Sequence, residues 1–443
     1  MAELLLAHSI ESVLSQCHNP SHIYIGYSGG LDSHVLLHLC ASIAHLKEKI
    51  TAVYVHHGLQ IEADAWAEHC RKTSASLGVN FKVLRVNAVA DKGESPEEAA
   101  RNARYRALKT IIETDDLLLV AQHRDDQLET VLLQLFRGSG LSGLSAMPVL
   151  MDFGKGVLLR PLLNTSKVAV ETYAKLHALS WIEDPSNQSN NYDRNFLRNA
   201  IVPLLKQRWP ACDKTVARSA GHCAEAQLLL SEQARKLFLP IFNATDKTLS
   251  LDQLMAYSIA QQTLVIREWL QMLKLKMPSQ AFIERLQREV VFARPDSNPV
   301  LSAQGYCFRR YRGKLYCLKG EEPEKIVACM WPKAQTSFSF STNQILYFIP
   351  SSAGICYAQW QKATVAVKAR SGGEKISLPG RKGHHDLKQL FQEAGIAPWE
   401  RATIPLIFLN DKLAAVGDLW ISADFYSEKE QRCISFFLQK DTA

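Results

Sequence analysis

Between about residues 22 and 180, short apolar runs alternate with segments in which apolar side chains recur at helical spacing. The runs are His22–Tyr27, Thr51–Val55, Phe81–Val86, Leu117–Ala121 and Val157–Arg160, each followed by a helical pattern. Five strand–helix units in this rhythm predict an α/β fold built on a doubly wound parallel sheet. One helix start is explicit. Ser95 stands as N-cap, Pro96 at the first helical position and Glu98 completes a Ser-x-x-Glu box, so the helix that follows carries Arg101, Arg104 and Tyr105.

From about residue 213 to 290 the pattern is helical, with apolar clusters at Ala226–Leu230 and Leu264–Leu270. Past residue 300 the segments shorten and turn strand-like and aromatic, as in Gly305–Gly313, while Glu321–Lys325 reads as a linker. The expected organisation is therefore a parallel-sheet domain over 1–212, a largely helical domain over 213–320 and a small mixed α/β domain over 345–443. A chain of 443 residues exceeds what one hydrophobic core serves, which agrees with several domains.

Composition changes the picture little. With 47% apolar and 21% charged residues, no leader pattern at the start and no window near the roughly 20 apolar residues a bilayer span needs, the expectation is a cytoplasmic protein without a membrane partner. Ten cysteines are scattered without a Cys-x-x-Cys pair, so free buried thiols are expected rather than a zinc or redox centre.

Candidate chemistry begins at Ser28-Gly29-Gly30-Leu31-Asp32-Ser33, between the first strand and the first helix. Glycines let backbone approach phosphate, and a helix N-terminus offers unpaired N–H groups with partial positive charge. The serine hydroxyls can donate as well. A carboxylate beside polyphosphate is repulsive unless a cation intervenes, so Asp32 is the expected ligand of Mg²⁺ carried by ATP.

The Ser-Gly-Gly-x-Asp-Ser string resembles the signature of the PP-loop ATP pyrophosphatases, whose members cleave ATP to AMP and pyrophosphate through an adenylated intermediate. The resemblance narrows at Ala121–Thr130, Leu135–Gly140, Val55–Leu59, Glu98–Tyr105, Arg160–Leu163, Glu183–Asn187 and Tyr192–Asn195. These strings look like those of the tRNA(Ile)-lysidine synthetases. A weaker likeness to that family's C-terminal tRNA-binding module runs through Arg370–Glu374, Leu387–Phe391 and Arg401–Pro405.

What the resemblance implies is a ligase for tRNA modification. Such an enzyme uses ATP and Mg²⁺ to adenylate C2 of the wobble cytidine in tRNA(Ile) with a CAU anticodon, then attaches free lysine to form lysidine, so that the tRNA reads AUA instead of AUG. Domain 1–212 would be catalytic, and the later domains would hold the tRNA. Asp32, Arg104, His123, Asp126 and Glu129 become the catalytic candidates. Many relatives carry two histidines where this chain has Gln122-His123, and glutamine can hydrogen-bond but not titrate.

The chemistry asks for carboxylates. Near neutrality only about one lysine amine in a thousand is unprotonated, equivalent to roughly 4 kcal/mol. Asp125, Asp126 and Glu129 open a helix after the fourth strand, and the three-residue spacing of Asp126 and Glu129 places them on one face. They are expected to bind or activate lysine or to complete the metal site.

The net charge of +7 is moderate, but its placement is uneven. Residues 267–319 hold 11 Lys/Arg against 4 Asp/Glu, and 362–388 hold 7 against 2, which marks both stretches for an anionic partner. Arg309, Arg310 and Arg312 around Tyr311, and Arg381 with Lys382, are the RNA-binding candidates. The competing reading is another PP-loop tRNA-modifying enzyme, such as a thiolase, which would need cysteines poised for sulfur transfer.

Overall fold

The structure is a computed structural model that describes residues 2–17, 20–58, 62–87, 89, 96–294, 297–320, 326–332, 335–341, 344–428 and 432–440. Ser95 of the expected capping box and the expected linker Glu321–Lys325 lie outside these. The chain divides into two compact units, Met1–Glu232 and Gln233–Ala443.

In the first unit, β1 (Ile23–Gly26), β2 (Ile50–His56), β3 (Asn80–Arg85), β4 (Leu117–Leu119), β5 (Leu150–Phe153) and β6 (Gly156–Leu159) form one sheet in the order β3-β2-β1-β4-β6-β5. All neighbours are parallel except β5, which pairs antiparallel with β6. The central strands are apolar on both faces because helices cover both. Ile23, Ile25, Ile50, Leu118 and Leu119 are fully buried. The edge strand β5 shows only Phe153 to the core, so its apolar signal is too thin to read from sequence. The expected helix is present as Pro96–Lys109.

The strand order reverses between β1 and β4, whose carboxyl ends therefore open a crevice with the connections leaving to either side. The loop after β1 leads into the helix Leu31–Ser42, and the loop after β4 into the helix Arg124–Phe136. Both loops carry the candidate residues.

The second unit opens within the long helix Cys212–Ile241. Helices Ile259–Met272 and Gln280–Leu286 follow, and they pack on a five-stranded antiparallel sheet rather than on helices alone. That sheet includes Tyr306–Tyr311 and Lys314–Lys319, joined by a two-residue turn in which Arg312 and Gly313 both take positive φ (47° and 69°), as a type I′ hairpin requires. Two further five-stranded sheets and the hairpin Lys375–Ser377/His384–Asp386 make up the rest. Cys329–Met330 and Ser337–Ser341 already belong to these sheets. Among the described residues, no helix is long and apolar enough to cross a membrane.

Candidate active site

The loop after β1 is built so that its backbone stays open. Gly29 has φ +82°, and a Cβ there would stand 2.7 Å from Ile182 Cδ1 and 2.9 Å from Cys70 Sγ. No other residue type fits without strain. Gly30 is different, since a Cβ there would meet nothing closer than Ser28 Oγ at 3.6 Å. Its missing side chain leaves space over the N-terminus of Leu31–Ser42, a helix that no side chain caps. Free N–H groups beside a cleared space suit a phosphate. Ser33 is buried and braces the loop from within. Its Oγ donates to the Gly30 carbonyl (2.9 Å) and accepts from the Ser28 N–H (3.2 Å).

Asp32 sits in the first turn of that helix with its side chain 39% exposed, yet its Oδ1 is a buried oxygen without a hydrogen-bond partner. Its Oδ2 lies 3.6 Å from His123 Nε2. A carboxylate with one unpartnered oxygen beside a phosphate cradle fits Mg²⁺. Among the described residues no group of three or more His, Cys, Asp and Glu side chains could hold a metal. An ion here would therefore depend on the phosphates as co-ligands, the usual habit of Mg²⁺.

His123 is the N-cap of Arg124–Phe136 and is almost wholly buried. Its Nδ1 lies 3.4 Å from Asp126 Oδ2, so the one imidazole spans from Asp32 in the first turn of one helix to Asp126 in the first turn of the other. Burial disfavours the charged ring, but the flanking Asp32 and Asp126 outweigh it, and His123 holds its proton more firmly than an ordinary histidine. Asp126 also accepts from the His123 backbone N–H at 2.9 Å.

The sequence reading missed the partners of these carboxylates. Glu129, essentially buried, receives Arg194 Nε (2.9 Å), Arg198 Nε (2.7 Å) and Arg198 Nη2 (2.8 Å), while Asp126 Oδ1 receives Arg194 Nη2 (3.2 Å) and Arg198 Nη2 (3.0 Å). Burial works against the Asp126 anion, and His123, Arg194 and Arg198 together hold its pKa below the ordinary value. Arg198 belongs to a π-helical turn, Leu197–Ile201, just before Pro203, which lacks the N–H an α-helix would use. The signal was available in part. Arg194 and Arg198 are four apart and share a face that complements the three-residue spacing of Asp126 and Glu129. Asp125 turns away from this cluster to pair with Lys206, and Arg124 pairs with Asp213 at 2.6 Å.

Arg104, on the helix Pro96–Lys109, is exposed and donates from Nε and Nη2 to His57 Nε2, both at 3.3 Å. His57 can accept because burial, the Arg104 charge and His56 push its pKa down to about 4. Gln122 is also occupied. Its Oε1 accepts from the buried Arg160 Nε at 2.8 Å, and its Nε2 reaches the Tyr105 hydroxyl at 3.5 Å. A neutral acceptor there suits a guanidinium that also donates to the Pro148 carbonyl (2.7 Å).

The RNA-binding candidates lie in the second unit, with different degrees of freedom. Arg310 donates to the carbonyls of Val291 (3.2 Å) and Ala293 (2.7 Å), Arg309 lies over the Trp399 ring at 5.5 Å, and Arg312 donates to the Gln392 carbonyl. Arg381 is exposed and paired with Glu393 at 2.9 Å, and Lys382 is exposed.

Family models match three stretches of the chain. Residues 3–205 match a PP-loop domain, 249–316 a TilS substrate binding domain and 365–437 a TilS substrate C-terminal domain. The tRNA(Ile)-lysidine synthase of Methylococcus capsulatus is 39% identical over 430 residues, spanning 96% of this chain and 97% of that protein. Those of Legionella pneumophila strain Paris (37% over 406 residues, 91% and 93%) and Photobacterium profundum (38% over 427 residues, 94% and 96%) are similarly close. With identity sustained at this level across nearly the whole length, and a PP-loop at the switch point of the sheet, the chain belongs to the tRNA(Ile)-lysidine synthase family.

Proposed function

We propose that the chain is an ATP-dependent ligase that adenylates C2 of the wobble cytidine in tRNA(Ile) bearing a CAU anticodon and then joins lysine there. The observation that carries this reading is the continuity of the site. The phosphate loop, through Asp32, meets His123, and His123 meets the Asp126–Glu129–Arg194–Arg198 cluster beyond the carboxyl ends of the central strands. One reaction that uses a nucleotide and then a charged amine needs both halves side by side.

In the first step the cytidine O2 bonds to the α-phosphorus of ATP and the bond to pyrophosphate breaks. In the second the ε-amine of lysine bonds to C2, AMP departs with the O2 electron pair, and the amine gives up a proton. Mg²⁺ held by Asp32 and the phosphates would neutralise charge on the polyphosphate. The loop N–H groups and Arg104 are the protein's own contributions toward phosphate or base, which carry developing charge.

The carboxylates divide their labour. Asp126, held ionised by His123 and the two guanidinium groups, is a weak base whose role would be to attract the lysine ammonium by its charge rather than to take its proton. Glu129 has both oxygens engaged by arginines, so it acts as a positioning residue that sets Arg194 and Arg198 beside Asp126. A thiolase would need a reactive thiol near the loop. The one there, Cys70, is buried against Gly29 with its pKa pushed up to about 12, which keeps it protonated and inert.

Incubation with ATP, labelled lysine and unmodified tRNA(Ile) with a CAU anticodon tests the reading. Label should enter the RNA with stoichiometric release of AMP and pyrophosphate. ATP turnover without lysine incorporation would refute it.

A further inference from the structure

The second unit contains two stretches matched separately, 249–316 and 365–437, and a compact seam joins them. Trp399, on the short helix Pro398–Arg401, meets Tyr316 edge-on with centroids 5.1 Å apart and Tyr311 at 6.0 Å, while the Arg309 guanidinium covers it at 5.5 Å. Arg401, only 7% exposed, donates from Nε to the Ile396 carbonyl (2.9 Å) and from Nη2 to the Tyr311 hydroxyl (3.3 Å). Arg312, thrown outward by the left-handed turn of the hairpin, donates to the Gln392 carbonyl. Gly395 is shaped for it. With φ +77°, a Cβ there would stand 2.5 Å from Arg312 Nη1.

Aromatic edge contacts and cation–π stacking each add attraction beyond the area buried, so several in one place make a joint rather than a chance touch. The joint also takes up Arg309 and Arg312, two cations that would otherwise be surplus on a basic face. Their arrangement has a use if both stretches grip one tRNA. Two binding surfaces at a set separation make the second contact effectively intramolecular, but only for a ligand whose own dimensions match. A loose tether would admit many shapes and lose that selection.

We propose that the Trp399 seam locks the two stretches into one rigid frame for tRNA, and that Trp399 is thereby a specificity-determining positioning residue. The proposal rests on the tRNA-ligase reading above. Trp399 is half-buried and outside the hydrophobic cores, so its replacement leaves those cores intact.

The test compares Trp399→Ala, Trp399→Phe and wild type on two RNAs, full-length tRNA(Ile) with a CAU anticodon and its isolated anticodon stem-loop, which is too short to engage two separate surfaces. Trp399→Ala should raise KM for the full-length tRNA by about tenfold while kcat stays within about twofold, as expected for loss of a second linked contact. KM for ATP and all constants for the stem-loop should not move, and Trp399→Phe should recover most of the loss. Wild-type kinetics on full-length tRNA in Trp399→Ala would overturn the proposal, as would equal losses on both RNAs. Failure of the underlying reading looks different, because wild type itself would then incorporate no lysine into either RNA.

Discussion

At Asp32 one charge separates two outcomes. The side chain is 39% exposed and its Oδ1 bonds to nothing in the protein, so Asp32→Asn removes a ligand charge while weakening one internal contact, the 3.6 Å pairing of Oδ2 with His123. The expected result is a fall in kcat of about a hundredfold or more, the scale of losing one transition-state charge partner, with only a small shift of the thermal midpoint. Near-normal turnover would discard the metal assignment. Glu129 behaves in the opposite way. It is almost fully buried under two guanidinium groups, and Glu129→Gln leaves both cations undercompensated. Breaking a buried pair costs about 3–5 kcal/mol, and since Arg198 is 31% exposed in its side chain and screened by water, about half that is expected here. Urea unfolding of the variant should therefore show a lowered midpoint, together with a raised KM for lysine, while tRNA affinity holds. Equal stability in the two proteins would mean the arginines find other partners.

Among the elements, the end of β2 and the helix Pro96–Lys109 are linked through His57 and Arg104. Folded His57 stays neutral down to about pH 4, whereas in the unfolded chain it takes a proton near the ordinary histidine value of 6.5. Below about 6.5 the unfolded state binds the extra proton, so this residue's contribution to stability is full above that pH and is lost progressively between about 6.5 and 4. His57→Gln, which still offers an acceptor to Arg104, should thus lose less stability than wild type between pH 7 and pH 5. Parallel thermal melts at the two pH values read this directly, and an identical drop in both would show that His57 is not held neutral. The loop after β1 gives a second expectation. Gly29→Ala forces a side chain into Ile182 and Cys70 at a positive φ, so both ATP binding and stability should fall, whereas Gly30→Ala should weaken ATP binding with little loss of stability.

For the whole molecule the decisive quantity is where the charge stands. The net +7 is small for a chain of this length, and four of the five basic candidates in the second unit have partners within it, Arg381 through a water-exposed ion pair. Arg381 and Lys382 remain exposed, and the Arg381–Glu393 pair, open to water, is worth little against a phosphate. Changing both to alanine should lower the salt slope of tRNA binding by about 0.7–0.9 per lost phosphate contact, with ATP binding unaffected. Titrations of tRNA at several salt concentrations decide this, and an unchanged slope with unchanged affinity would remove the two residues from the tRNA surface.

Much of this protein was determined locally. The five parallel strands, the helix from Pro96, the glycine loop and the carboxylates of Arg124–Phe136 could be read in the chain because each depends on a periodicity or motif a few residues long. The edge strand Leu150–Phe153, apolar to the core at one position only, gave no such signal. The tertiary structure alone decided which charges meet. Asp126 and Glu129 lie more than sixty positions before Arg194 and Arg198, and nothing in either segment states that the fold stacks them. Likewise the arginines around Tyr311 read as a free basic cluster until the chain brings Trp399 and Gln392 against them. Hydrophobic period reports which side of an element is buried. The partner of a buried charge depends on topology, because the desolvation that makes pairing obligatory exists only once the elements have packed.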